Sequence, residues 1–218
     1  MKRYAMQHLI EWKEDPGHLP MIIRGARQVG KTWLMKEFGR TEFEKYAYIN
    51  FDRNSRMKQL FSGDFDVDRI LRGLSIESEV EIAPEDTLII LDEIQEVPAA
   101  LQSLKYFCED DRQRYNIVAA GSLLGISMHE GTSFPVGKVD SMDLYPLSFT
   151  EFLDATGNGQ LVSLLEQQDY EMITAFKDKY IDLLKTYYYV GGMPAAVNAY
   201  LPKQNLNSVR RVQKRLLS

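Results

Sequence analysis

Residues 25–32 read GARQVGKT and fit the pattern G-x-x-x-x-G-K-[ST], which is typical of a phosphate-binding loop. The two glycines let the backbone turn tightly with its N–H groups facing inward. Together with the N-terminus of the following helix, these donors form a cradle for phosphate oxygens. In this pattern Lys31 reaches the β- and γ-phosphates, and the Thr32 hydroxyl ligates Mg²⁺. A surface turn rich in glycine and lysine could have the same sequence. The flanking residues are therefore needed to distinguish a phosphate-binding loop from such a turn.

The flanking sequence favours the phosphate-binding interpretation. Residues 19–23 form a short apolar run that is typical of a buried strand, and residues 32–38 place apolar side chains at helical spacing before Gly39. Strand, glycine-rich loop and helix is the order that the pattern requires. We therefore predict a nucleotide site whose binding residues are Gly25, Ala26, Arg27, Gln28, Val29, Gly30, Lys31, Thr32 and Trp33.

A second chemical element follows the apolar run at residues 87–91, which is typical of a central parallel strand buried on both faces. The run ends in Asp92 and Glu93, at the sheet edge where α/β proteins bind ligands. Asp92 is placed to hold Mg²⁺, directly or through water, and Glu93 is a candidate base that activates a water molecule. Two carboxylates also suit the first turn of a helix, but the upstream phosphate loop favours the catalytic interpretation.

Three further strands are predicted at residues 46–51, 115–120 and 138–144. The second of them ends in Gly121 and Ser122, beside the carboxylates of the preceding strand. Ser122 is a candidate catalytic residue that contacts the γ-phosphate or the attacking water, although an ordinary turn serine would fit equally well. The fold class that follows is an α/β core with a parallel sheet.

Composition limits the function classes. The 218 residues are 44% hydrophobic and 26% charged, with a net charge of −5 and one cysteine, Cys108. A disulfide framework is excluded, and no apolar run approaches the ~18 residues of a membrane-spanning helix, so we expect a cytoplasmic protein with no membrane partner. The negative charge disfavours nucleic-acid binding by the whole surface. A basic cluster near the end of the chain is most simply a solvated helix face; its members are Arg210, Arg211, Lys214 and Arg215.

The character of the sequence changes at Ser148. Ser148 and Glu151 have the spacing of a capping box at the start of a helix, and the remaining residues to Ser218 have helical patterns. A linker at residues 156–159, with sequence TGNG, and residues 191–194, with sequence GGMP, interrupt them. We predict two domains, a phosphate-binding core of residues 1–147 and an α-helical subdomain of residues 148–218.

Several strings, in order along nearly the whole chain, resemble one family of proteins. They are RQVGKT at 27–32, LDEIQ at 91–95, AGS at 120–122, PVGKV at 135–139, YPLSFTEF at 145–152 and GGMP at 191–194. The family is the prokaryotic AAA-superfamily ATPases known as "ATP-binding protein, AAA family", which are often linked to a C-terminal nuclease-like domain of unknown function. The resemblance implies an AAA-type three-layer core with a central parallel five-stranded sheet, in which one strand lies between the phosphate-loop strand and the Asp-Glu strand. It also implies that the helical subdomain is a lid.

The resemblance also assigns individual residues. Ser122 matches the first sensor position, and Pro194 in the GGMP string is a candidate contact of the adenine base, although a proline in the first turn of a helix reads equally well. Family members commonly carry Arg where this chain has Lys138. If that position acts on the γ-phosphate in a neighbouring subunit, a lysine offers one positive charge there but no bidentate fork. Arg27 is the alternative source of that charge. Because family chains usually continue further, we expect a C-terminal domain to be missing here.

The leading hypothesis is a domain that binds and hydrolyses Mg-ATP and acts as a switch or motor, with nucleotide held between core and lid. Its cofactors are ATP and Mg²⁺. Glu93, Lys31 and Ser122 are the catalytic residues, and Thr32 and Asp92 are the metal ligands. The alternatives are a P-loop kinase for a small molecule and a nucleotide-dependent DNA- or protein-binding module with little turnover. Candidate partners are a second copy of the chain, in a homo-oligomer, and a DNA or protein client. The sequence does not indicate the biological process.

Overall fold

The protein is described here by a computed structural model, which covers residues 1–110, 115–122, 135, 137–202 and 205–217. The chain divides into two compact units. The first, which we call the core unit, is Ala5–Leu144. The second, the helical unit, combines Met1–Tyr4 with Tyr145–Ser218.

The core unit contains a five-stranded sheet in the order β2-β3-β4-β1-β5, and every adjacent pair is parallel. Strand β4 lies between β1 and β3, so the predicted parallel sheet with one strand between the phosphate-loop strand and the Asp-Glu strand is confirmed. All six residues of β3 are buried, as expected for a strand covered on both faces. The strands are β1 (Met21–Gly25), β2 (Lys45–Asn50), β3 (Thr87–Asp92), β4 (Asn116–Ser122) and β5 (Asp140–Leu144).

Helices cover both faces of the sheet, because successive apolar residues of each strand point to opposite sides. Ile22, Ile89 and Leu91 pack in one apolar cluster with α3, α4 and α5, whereas Ile23 and Ile90 pack in another with α1 and α2. This gives the predicted three layers. The helices are α1 (Ala5–Glu14), α2 (Lys31–Glu42), α3 (Ser55–Leu60), α4 (Val67–Ser78) and α5 (Pro98–Glu109).

The helical unit begins with the predicted capping box. The Ser148 hydroxyl accepts a hydrogen bond from the Glu151 N–H, and the Glu151 carboxylate accepts one from the Ser148 N–H. Small apolar clusters centred on Phe152 and Leu153 hold the helices together. They are α6 (Phe149–Ala155), α7 (Gly159–Glu166), α8 (Tyr170–Ala175), α9 (Lys177–Val190), α10 (Pro194–Tyr200) and α11 (Leu206–Leu217).

The division into compact units lies three residues before the predicted domain boundary at residues 147 and 148, and the two predicted domains stay a prediction. It falls between Leu144 and Tyr145, and the first four residues of the chain belong to the helical unit. The reason is a buried ion pair, in which Nε of Arg3 donates to Oε1 of Glu151 across 3.0 Å. The backbone N–H of Tyr4 donates to the same oxygen across 2.8 Å. A sequence pattern cannot reveal this contact, since 148 positions separate its side chains.

Two of the strings noted in the sequence, YPLS and GGMP, meet inside the helical unit. The N–H of Leu147 donates to the carbonyl of Gly192 across 2.7 Å, and the Tyr187 hydroxyl donates to the carbonyl of Leu147 across 2.6 Å. A Cβ atom on Gly192 would overlap the Leu147 oxygen and lie 2.9 Å from its nitrogen. We call this contact the Leu147–Gly192 junction. The close approach of the two backbones explains why position 192 is a glycine. No helix within the described ranges is long and apolar enough to cross a membrane.

Candidate nucleotide-binding site

The phosphate loop connects β1 to α2, and its two glycines are required for different reasons. Gly30 has φ 103° and ψ 19°, a left-handed conformation that glycine adopts without cost. Gly25 is needed for close packing, because a Cβ atom there would overlap the carbonyl oxygen of Leu144 on the paired strand β5. Gln28 also has a positive φ of 64°, which is uncommon for a residue with a side chain. The tight turn that was predicted from both glycines is therefore formed by positive φ angles at Gln28 and Gly30, whereas Gly25 is required for packing against β5.

Lys31 lies at the centre of the loop and is buried, with 6% of its surface exposed. Its ammonium donates to the carbonyl oxygens of Gly25 across 2.9 Å and of Ala26 across 3.0 Å. Burial lowers the pKa of Lys31, and the carboxylates of Glu93 and Asp92 oppose that shift. The loop thus surrounds a positive charge that faces the carboxylates of the Asp-Glu strand.

Asp92, at the end of β3, is 2% exposed and is held by three donors. The Thr32 hydroxyl donates to Oδ2 across 2.7 Å, and the Tyr48 hydroxyl donates to the same oxygen across 3.0 Å. The N–H of Glu93 donates to Oδ1 across 3.1 Å. A threonine hydroxyl beside a carboxylate is the pair of oxygen ligands that suits Mg²⁺ in a P-loop site, where water and phosphate oxygens complete the octahedron. The residues present therefore fit this cation.

Glu93 leaves the strand in a left-handed conformation, with φ 54° and ψ 43°. A short 3₁₀ turn, Ile94–Glu96, follows it, and α5 begins only at Pro98. The two carboxylates are therefore not part of the first turn of α5, which was the alternative interpretation of the sequence. The amide of Gln95 donates to Oε2 of Glu93 across 2.6 Å. The candidate base itself thus has an unfavourable backbone conformation, and residues in such conformations are concentrated at functional sites.

Tyr48 is a site residue that the sequence interpretation missed. It lies on β2, the neighbour of β3, near the strand end where Asn50 pairs with Asp92. The ammonium of Lys36 lies 3.5 Å from the centre of its ring. Burial and the Asp92 carboxylate raise the pKa of the Tyr48 hydroxyl to about 12, so it remains a donor at neutral pH. The sequence does place a tyrosine, with its polar hydroxyl, near the carboxyl end of the strand beside β3. Tyrosine is also common in ordinary strands, so this position alone did not indicate a site residue.

Strand β4 brings Ser122 to the same edge of the sheet. Ser122 pairs with Gly25 of β1, and Ala120 pairs with Asp92 of β3. The side chain of Ser122 lies outside the described part of the structure, so its sensor role stays a prediction. Of the other predicted binding residues in this unit, Ala26, Arg27, Gln28 and Trp33 are exposed, whereas Val29 is fully buried.

Lys138 is placed far from the phosphate loop of its own chain. It lies two residues before β5, at the edge where Asp140 pairs with Met21 and the strands begin. The loop follows the other end of β1, five residues along, which is roughly 16 Å away at the rise of a strand. The Lys138 ammonium lies 3.1 Å from the carboxylate of Glu109. Lys138 therefore cannot complete this site from within the same chain, and a role in a neighbouring subunit stays a prediction.

Pro194 belongs to the helical unit, where it is the first residue of α10, as its plain interpretation expected. Its contact with a base stays a prediction. Among the residues that the structure describes, no group of three or more His, Cys, Asp or Glu side chains could hold a metal ion. The hydroxyl–carboxylate pair of Thr32 and Asp92 is thus the metal-binding feature to consider.

These features agree with a comparison against protein families. The family described as "AAA domain" matches residues 18–153, a range that includes the phosphate loop, Asp92 and Glu93. The chain belongs to the AAA domain family. As a member of the AAA domain family it is a nucleotide-binding module, and in its five-stranded sheet one strand lies between the phosphate-loop strand and the Asp-Glu strand, as the resemblance implies.

Several solved structures are similar to the chain. The Aeropyrum pernix Orc1 protein, solved in complex with DNA, has a TM-score of 0.51 at 13% identity, over 96% of this chain and 64% of that one. This likeness shows a shared fold. C. elegans PCH-2 and Drosophila ORC bound to DNA each have a TM-score of 0.49 at 14% identity, over 98% of this chain and 66% of theirs. The chain thus spans slightly less than two thirds of each. No curated protein matches the sequence.

Proposed function

We propose that the chain binds Mg-ATP at the phosphate loop and hydrolyses it to ADP and phosphate. One observation carries the proposal: the Thr32 hydroxyl donates to Asp92 across 2.7 Å, although 60 positions separate the two residues. This contact places the loop, with its buried Lys31, beside the strand end that carries Glu93. Binding groups for phosphate, ligands for a cation and a carboxylate base therefore lie at one edge of the sheet.

Each residue has a definite task in this proposal. Thr32 and Asp92 would hold Mg²⁺, which when bound supplies positive charge to the phosphate oxygens. The Lys31 ammonium binds the β- and γ-phosphates, and the loop N–H groups bind the remaining oxygens. Glu93 accepts a proton from the water that attacks the γ-phosphorus, while the bond from that phosphorus to the bridging oxygen breaks. Ser122 and Pro194 are proposed to contact the γ-phosphate and the base.

Release of inorganic phosphate from Mg-ATP tests the proposal. The full chain should release phosphate without any added acceptor, and Lys31→Ala should abolish ATP binding, because the variant lacks the cation of the loop. Arg40→Ala, on the exposed face of the same helix, is the matched control and should turn over like the wild type. Phosphate transfer only to an added small molecule would replace hydrolysis with a kinase activity. Tight ATP binding without release would leave a binding module.

The proposed role of hydrolysis is a switch between nucleotide states. Of the two candidate sources of further positive charge, Arg27 is exposed on the phosphate loop and Lys138 lies at the opposite edge of the sheet. We therefore propose that a neighbouring copy of the chain supplies the missing charge. Specific activity measured against protein concentration tests this: it should rise with concentration, and a constant value would contradict assembly of the site between copies.

A further inference from the structure

The charge of the chain is strongly segregated along the sequence. Residues 191–218 contain five Lys or Arg residues and no Asp or Glu, whereas the chain as a whole has a net charge of −5. Most of these basic residues belong to the last helix, α11 (Leu206–Leu217). The helix therefore has a positive electrostatic potential, whereas the rest of the protein is negative. A local positive patch of this kind is typical of a surface that binds a polyanion.

The helix presents its basic residues on one side. Arg210 and Lys214 are one turn apart, and so are Arg211 and Arg215, so the four form two adjacent rows on the helix surface. All four are exposed. Val209, on the opposite side, is fully buried in the apolar cluster of the helical unit. Packing of that side fixes the rotation of α11, so its basic side faces solvent.

Three of these basic side chains, together with Asn207, surround a depression in the surface. Asn207, Arg210, Arg211 and Lys214 line a cavity of about 400 Å³, so that three cations and an amide lie around one space without a carboxylate. We call these four residues the basic depression. Its cations differ in this respect from Arg40, Arg56 and Lys185, each of which forms an ion pair with a nearby carboxylate. Within the described ranges, no ion pair involves the three cations of the basic depression.

We propose that the basic depression of α11 is a nucleic-acid interface that binds the phosphate backbone without reading sequence. Clustered cations repel one another, and closely spaced phosphates relieve that repulsion while releasing bound counterions. Guanidinium groups match phosphate oxygens with two parallel hydrogen bonds, and Asn207 adds a neutral donor. A membrane surface fits less well, because a helix that binds lipid needs a free apolar face and that of α11 is packed within the unit.

The test measures binding of the full chain to a fluorescent 20-base-pair duplex and to single-stranded RNA by anisotropy, at several salt concentrations. Wild type should bind one or both, with an affinity that falls steeply as salt rises. Arg210→Gln/Arg211→Gln/Lys214→Gln should reduce the slope of log K against log salt by about 3 for duplex DNA, because each lost phosphate contact removes about 0.9. Its affinity at low salt should fall at least ~10-fold.

The matched control is Arg40→Gln/Arg56→Gln/Lys185→Gln, which removes the same charge from paired, exposed positions. It should change the slope by less than 1. Equal effects of the two triple variants, or no binding by wild type at low salt, would overturn the proposal. Binding to vesicles rich in phosphatidylserine but to neither nucleic acid would also overturn it. Lys31→Ala should still bind nucleic acid, so this test does not depend on ATP hydrolysis.

Discussion

The hydroxyl of Thr32 and Oδ2 of Asp92 are 2.7 Å apart and form a direct hydrogen bond between α2 and β3. Strand β4 separates the strands that lead to these residues, so the contact crosses the carboxyl edge of the sheet rather than joining neighbours in it. The phosphate loop and the acidic strand end are therefore in direct contact, and Glu93 follows Asp92 at that strand end.

Glu93→Gln should bind Mg-ATP with near wild-type affinity and turn it over at least ~100-fold more slowly, because an amide cannot accept the proton of the attacking water. Binding is measured with a fluorescent ATP analogue, and turnover by phosphate release. Glu96→Gln is the matched control, since Glu96 is exposed three residues further on. Equal turnover by Glu93→Gln and wild type would remove Glu93 as the base.

Gly192→Ala should destabilise the protein by about 1–3 kcal/mol, because the new methyl group would overlap the backbone oxygen of Leu147. Urea unfolding monitored by circular dichroism measures the loss. Gly159→Ala makes the same chemical change where the nearest atom of the helical unit is 3.4 Å away, at the first position of α7, and should have little effect. Equal stabilities of the two variants would show that the Leu147–Gly192 junction adapts to a side chain.

Tyr187 gives the helical unit a dependence on alkaline pH. Burial, and to a lesser degree Glu151 and Tyr188, raise the pKa of its hydroxyl above the usual value of 10, so folding favours the protonated form. The contribution of Tyr187 is therefore fully present below pH 10 and is lost as pH rises above that value.

The measurement is the difference in unfolding free energy between wild type and Tyr187→Phe. It should be constant between about pH 7 and 9, at about 1 kcal/mol for the hydrogen bond to Leu147, and should decrease at higher pH. Tyr170→Phe, at a position 70% exposed, controls for the removal of a phenol. A difference that grows with pH would contradict the sign of this shift.

Glu151→Gln should destabilise the helical unit by about 3–5 kcal/mol, because it removes the carboxylate charge that the buried Arg3 guanidinium contacts. The two side chains are only 5% and 6% exposed. Glu37→Gln breaks a solvent-exposed ion pair with Arg40 and should have no measurable effect in the same urea titration. A comparable decrease in the free energy of unfolding in both variants would show that the buried ion pair stabilises the protein no more than the exposed one.

The sequence predicted what depends on local pattern. The burial of β3, the loop between β1 and α2, and the capping box of Ser148 each depend on residues close together in the chain, where periodicity and turn chemistry act. For the order of the strands, the resemblance to a family implied only that one strand lies between the phosphate-loop strand and the Asp-Glu strand, which β4 does. What the sequence missed depends on distant contacts: Tyr48 reaches Asp92 from the neighbouring strand, and Arg3 reaches Glu151 across 148 positions. No local pattern encodes such pairings, because either residue alone fits an ordinary strand or helix end.

The ion pair between Arg3 and Glu151 makes the helical unit discontinuous in the chain, with the whole core unit inserted between Tyr4 and Tyr145. During synthesis the first four residues leave the ribosome long before α6 exists, so they have no binding partner until the core unit has been made. The core unit, in contrast, is continuous and is free to fold as it emerges, since domains fold as units in the order of synthesis. Residues Met1–Tyr4 therefore join the helical unit only after the core unit has been made, and a substitution among them is expected to act on the helical unit rather than on the phosphate loop.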